Sequence, residues 1–142
     1  MRKLFMTILL ILPFSIGLES HTTQLVDTSK AIENIKLIKL IRAISVQESS
    51  LNPKAINKKE NAVGLLQIRP IMLKEVNRIS KIKYKDSDRF DPKKSIEMFF
   101  IIKNYYHKNN NLEHIARCWN YGTNGHEKES TIKYWKSIKK YL

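Results

Sequence analysis

The sequence predicts an all-α domain with room for only a very small β-ribbon, near residues 54–68, and three observations carry that prediction. Apolar residues recur at intervals of three and four along most of the chain. Prolines and asparagines fall where such segments would begin or end. No stretch alternates apolar and polar residues over the length of a strand.

The 142 residues fit one domain. Met1-Arg2-Lys3 is a basic start, Leu4 to Leu18 carries no charge, and Ser15-Ile16-Gly17 offers the small residues a signal peptidase reads. Residues 1–17 are therefore expected to be a secretory signal or an uncleaved N-terminal anchor, and residues 18–142 one domain. The apolar run is shorter than the roughly 20 residues of a spanning helix. Either reading exports the rest of the chain, to the periplasm or cell envelope. No cysteine follows the segment, which argues against a lipoprotein.

His21 to Asp27 reads as a polar lead-in. A long helix is expected from Thr28 to about Ser49, with Ile32, Ile35, Ile38 and Ile41 on its apolar face and Ala43 and Ile44 continuing it. Asn52-Pro53 stops it. Pro70 suits the first turn of a second helix with an apolar face of Met72, Leu73, Val76 and Ile79. Lys81 to Arg89 reads as a charged loop. Asp91-Pro92 is an N-cap followed by a first-turn proline. The helix it opens carries Ile96, Phe99, Phe100, Ile102 and Tyr106 and ends by Asn109-Asn110-Asn111. A helix over Leu112 to Trp119, a loop over Asn120 to Lys128 and a last helix over Thr131 to Leu142 complete the chain.

The net charge is +13, and loss of Arg2 and Lys3 with the signal takes two from it and leaves +11. An exported protein so basic is suited to a polyanionic neighbour such as cell wall or an anionic membrane surface. No aromatic-basic motif points to nucleic acid. Cys118 is the only cysteine, so no intramolecular disulfide is available and stability rests on packing; it reads as a small buried apolar residue. The four histidines show no ligand spacing, which predicts no zinc.

Four groups of residues carry chemistry. Glu48 ends an apolar helix, where the helix dipole and apolar surroundings both disfavour its charged form, as a general acid requires. Gly64-Leu65-Leu66-Gln67 pairs a glycine, open to close approach by a ligand, with a side chain that donates and accepts. Trp119-Asn120-Tyr121-Gly122 puts aromatic surface and an amide at a helix end, groups that suit a sugar. Tyr134-Trp135 can bring a hydroxyl to a buried carboxyl.

In this order and spacing the four groups closely resemble the soluble lytic transglycosylase family of the lysozyme-like superfamily, over roughly Ile35 to Ile138. The run from Ala43 to Ala55 is similar throughout. The resemblance implies a lysozyme-like α domain with Glu48 as the catalytic glutamate and Ser49 orienting it or the substrate. It implies Gly64, Leu65 and Gln67 lining the cleft, and Asn120 and Gly122 in the family's Ala-Tyr-Asn-x-Gly motif. Trp119 stands where the family usually has tyrosine, and Tyr121 where a small residue is common. Tyr134 is the expected partner of Glu48, with Tyr141 the alternative.

Most glycosidases use two carboxylates. No convincing second one stands out here: Asp86, Asp88 and Asp91 fall in the charged loop and at a cap, and Glu60 lies in the irregular stretch before Gly64, from which it could still face the cleft. The resemblance implies that a single glutamate cleaves the N-acetylmuramic acid–N-acetylglucosamine bond with substrate assistance, giving 1,6-anhydromuramoyl ends and needing no metal or cofactor. The implied partner is peptidoglycan glycan, met by a monomer. A hydrolytic lysozyme on the same fold and an inactive cationic wall-binding module are the competing readings. The resemblance leaves the biological role open among secretion or conjugation machines, phage invasion and lysis, and wall remodelling.

Overall fold

A computed structural model describes residues 16–142, with side chains from Asp27 onward. The expected signal lies outside the described residues except for Ile16 and Gly17. Residues up to Glu33 and residues 34–142 form separate units, and the second contains every site residue discussed below. Five helices make up the described chain: α1 Ile16–Ser49, α2 Pro70–Ile79, α3 Pro92–Tyr106, α4 Leu112–Tyr121 and α5 Ser130–Lys139. The only sheet among the described residues is the antiparallel pair β1 Ile56–Asn57 and β2 Ala62–Val63, with Ile56 opposite Val63. The all-α reading and its small ribbon are thus what the chain forms. No described helix is long and apolar enough to cross a membrane.

Helix α1 corrects two expectations. The polar lead-in His21 to Asp27 is helical, since neither proline nor glycine interrupts it after Gly17. The buried stripe is Leu37, Leu40, Ile41 and Ile44, while Ile32, Ile35 and Ile38 are exposed. Spacing by three falls about 60° short of a full turn at each step, so Ile32 and Ile41 point to opposite sides. The i, i+3, i+4, i+7 set keeps one face inward. Ser50 and Leu51 then take positive φ (53° and 65°), and the Leu51 N–H donates to the Ser45 carbonyl at 3.1 Å.

Pro70 occupies the first turn of α2, as expected, and Leu73 and Val76 are buried one turn apart. The Asp91 side chain caps α3 by accepting from the Lys94 N–H at 3.1 Å. Met98 and Phe99 of α3 join Leu40, Ile44, Leu66, Ile68, Ala116 and Ile138 in one core. Each large apolar side chain buried there contributes about 1.5–3 kcal/mol. Helix α4 runs to Tyr121, two residues beyond the expected end, so Asn120 and Tyr121 are helical; α5 stops at Lys139.

The expected charged loop Lys81 to Arg89 holds a 3-10 turn, Asp86–Phe90, and Arg89 is fully buried. Its Nη1 donates to the Asn61 and Ile68 carbonyls, both at 2.8 Å, and its Nη2 to Asp86 Oδ1 at 2.7 Å. A buried cation persists where its donors are all used. Arg89 thereby fixes the ribbon and the turn after it from behind.

Candidate active site

Glu48 is the penultimate residue of α1 and is half-buried. Tyr134, on α5, donates its hydroxyl to Glu48 Oε1 at 2.6 Å. Burial raises the pKa of Glu48 above the usual carboxylate range; the Tyr134 hydrogen bond and then the Arg69 charge oppose this, and the Glu60 charge adds to it. Tyr134 is itself pushed upward, first by burial and then by the charge of Glu48. The phenol therefore stays protonated and acts only as a donor. Tyr141, the alternative partner, is exposed near the C-terminus.

The chain after the ribbon is held against the end of α1. Ser49 Oγ donates to the Leu65 carbonyl at 2.8 Å and to the Ser45 carbonyl at 3.0 Å. Gln67 takes a positive φ of 49°, and its Nε2 donates to the Gly64 carbonyl at 3.0 Å and the Ala55 carbonyl at 3.4 Å. This conformation is uncommon without glycine and marks a constrained turn. Gly64 has φ 79°, and a Cβ there would sit 2.0 Å from the Arg89 carbonyl oxygen. The close approach that requires glycine is thus to the protein's own backbone, where the sequence pointed to a ligand.

Trp119 is buried in the core, with its ring centroid 5.0 Å from that of Phe99. The exposed aromatic at this helix end is Tyr121, with the Lys128 ammonium 5.7 Å from its ring centroid. Asn120 is exposed, and Gly122 ends α4 with φ 110°.

A cavity of about 490 Å³ opens beside these residues. Trp119, Tyr121, Gly122 and Arg69 line it together with Ile71, Met72, Phe99 and Ile102. Glu48 is not in its wall. Glu48 and this cavity are separate features, with Arg69 lining the cavity and acting electrostatically on Glu48.

Two participants escaped the sequence reading in whole or part. Arg69 carries no motif signal, yet its charge reaches Glu48. Its Nη1 lies 3.9 Å from Glu60 Oε2, and Glu60 is the one other carboxylate among the described residues with a resolved effect on Glu48. Position alone marked Glu60 as a possible cleft acid; the fold brings Arg69 to it.

A half-buried glutamate raised in pKa and held by a tyrosine hydroxyl is the kind of group that glycosidase-type chemistry uses as an acid. The family model described as Transglycosylase SLT domain matches residues 28–142, and the chain belongs to this lysozyme-like family of peptidoglycan-cleaving enzymes. No curated protein and no solved structure matches the chain.

Proposed function

We propose that the protein is an exported, monomeric lytic transglycosylase that cleaves the β-1,4 bond between N-acetylmuramic acid and N-acetylglucosamine. The pairing of Glu48 with Tyr134 in a site that favours the protonated carboxyl carries this reading. Glu48 donates its proton to the glycosidic oxygen as the bond to C1 of muramic acid breaks. The substrate's acetamido oxygen stabilises the positive charge at C1, and N-acetylglucosamine leaves with the proton. The C6 hydroxyl then bonds to C1 and returns its proton to Glu48. The product carries a 1,6-anhydro end, and no water is consumed.

Tyr134 orients Glu48 through both steps. Ser49 holds the Leu65 backbone, and the Gly64–Gln67 turn offers peptide groups and the Gln67 side chain to the sugar. Asn120 supplies an amide, Gly122 lets the chain turn away, and Trp119 forms the wall behind them. The cationic surface favours the anionic wall.

Hydrolysis is the second reading, and the effect of Glu60 on Glu48 is the observation that favours it, since a second carboxylate near the first is what water activation requires. Purified sacculi treated with the wild type should lose turbidity. Glu48→Gln should cut the rate by about 10³-fold, the scale of a lost general acid, with its circular dichroism unchanged. A folded Glu48→Gln protein that still clears sacculi removes Glu48 from the chemistry. Wild-type protein that binds sacculi without releasing saccharide favours the wall-binding module.

A further inference from the structure

The histidines that show no ligand spacing along the chain are brought together by the fold. His114 and Cys118 lie four residues apart on α4 and so share one face. His107 is the residue that ends α3, its N–H bonded to the Lys103 carbonyl at 2.8 Å. One ligand atom from each of these three residues lies within 4.8 Å of the others. The rings of His107 and His114 are 5.1 Å apart, and His126 stacks on His114 at 4.1 Å. His126 Nδ1 is 3.5 Å from Cys118 Sγ. Gly125 makes that approach possible, because a Cβ there would meet the Arg117 carbonyl oxygen at 2.2 Å.

A second observation points to a ligand. His107 is 6% exposed, and its Nδ1 is buried with no hydrogen-bond partner among the described residues. A buried polar atom left without a partner is costly, and a metal ion is one way to satisfy it.

We propose that His107, His114 and Cys118 form a binding site for a thiophilic divalent transition-metal ion of the zinc class. Imidazole and thiolate are the ligands such ions prefer. A tetrahedral site with bonds of about 2.0–2.3 Å sets its ligand atoms roughly 3.3–3.8 Å apart, so side-chain rotations of about 1 Å close the present cluster onto an ion. Binding releases the Cys118 proton, now directed to the Thr123 carbonyl at 3.2 Å, and joins Sγ to the metal. His126 lies outside this set of three, with its Nδ1 beside Cys118 Sγ. His107 and Cys118 both line the 490 Å³ cavity, which gives the ion an access path. The bound ion ties the end of α3 to α4.

Cobalt(II) titration of the reduced, purified full chain tests this directly. The expected result is a sulfur-to-cobalt charge-transfer band with intense tetrahedral visible bands, saturating at about one ion per chain and displaced by zinc. Cys118→Ser should erase the charge-transfer band, and His114→Asn should weaken zinc binding by at least about 10-fold, because even outer-shell changes cost that much. A wild-type spectrum without the sulfur-to-cobalt band at saturation overturns the site, whatever the variants do. Equal zinc affinity in the wild type and the folded variants overturns it as well. Neither readout depends on catalysis.

Discussion

Tyr134 reaches Glu48 across 86 positions of the chain, its hydroxyl 2.6 Å from Oε1, and so fastens the last helix to the end of the first. The bond lowers the pKa of Glu48 while burial raises it, and burial is the larger effect. Tyr134→Phe removes the opposing influence. The pKa of Glu48 should rise further, and the alkaline limb of the activity profile should move to higher pH. Turnover at the optimum should drop by about tenfold or more, equivalent to ~1.4 kcal/mol, as the carboxyl loses its orientation. The pH dependence of sacculus digestion by the two proteins checks this; a fall in rate with no movement of the limb would separate the hydroxyl from the titration of Glu48.

The raised pKa of Glu48 also has a consequence for stability. A carboxyl with a higher pKa in the folded state stabilises the fold in its protonated form, and that contribution is lost as pH rises through the folded pKa. Glu48→Gln stays neutral at every pH. The variant should therefore melt above the wild type at neutral pH, and the gap should close as pH falls below the ordinary glutamate range. Thermal melts of both proteins from acid to neutral pH provide the comparison, and a gap that widened toward acid would reverse the sign argued here.

Gly64→Ala should destabilise the protein by roughly 3 kcal/mol, because the new Cβ would collide with the Arg89 carbonyl and the residue already holds a positive φ. This corresponds to about 10 °C in Tm for a domain of this size. A calorimetric melt measures it, and a shift of only a degree or two would mean that the Arg89 backbone yields.

Much of the fold was legible because its signals are local. Pro70 and Asp91-Pro92 mark helix starts through the φ of proline and the side-chain oxygen of aspartate, and both helices begin there. Glu48, the Gly64–Gln67 turn and Trp119–Gly122 stand out by order and spacing. The remainder depends on distant partners. Nothing around Arg89 distinguishes it from its charged neighbours, since its burial comes from the Asn61 and Ile68 carbonyls. The exposed isoleucines of α1 misled because spacing by three drifts round a helix. His114 and Cys118 carry a helical spacing of four, but His107 joins them only through the turn between α3 and α4.

Arg89→Met should cost about 3–5 kcal/mol, the scale for breaking a buried charged network, because two backbone carbonyls lose their donors. The lesion should reach the site through the ribbon and lower activity even well below the melting temperature. Denaturant unfolding followed beside activity at low temperature tests both parts; full stability in the variant would show that the carbonyls find other donors.

Mass spectrometry of the soluble products released from purified sacculi tests the central claim most directly. Glu48 acting as both acid and base predicts muropeptides with 1,6-anhydromuramoyl ends, without water added across the cleaved bond. Reducing muramic acid ends would contradict the account and place a water-activating group, with Glu60 the first to examine, beside Glu48.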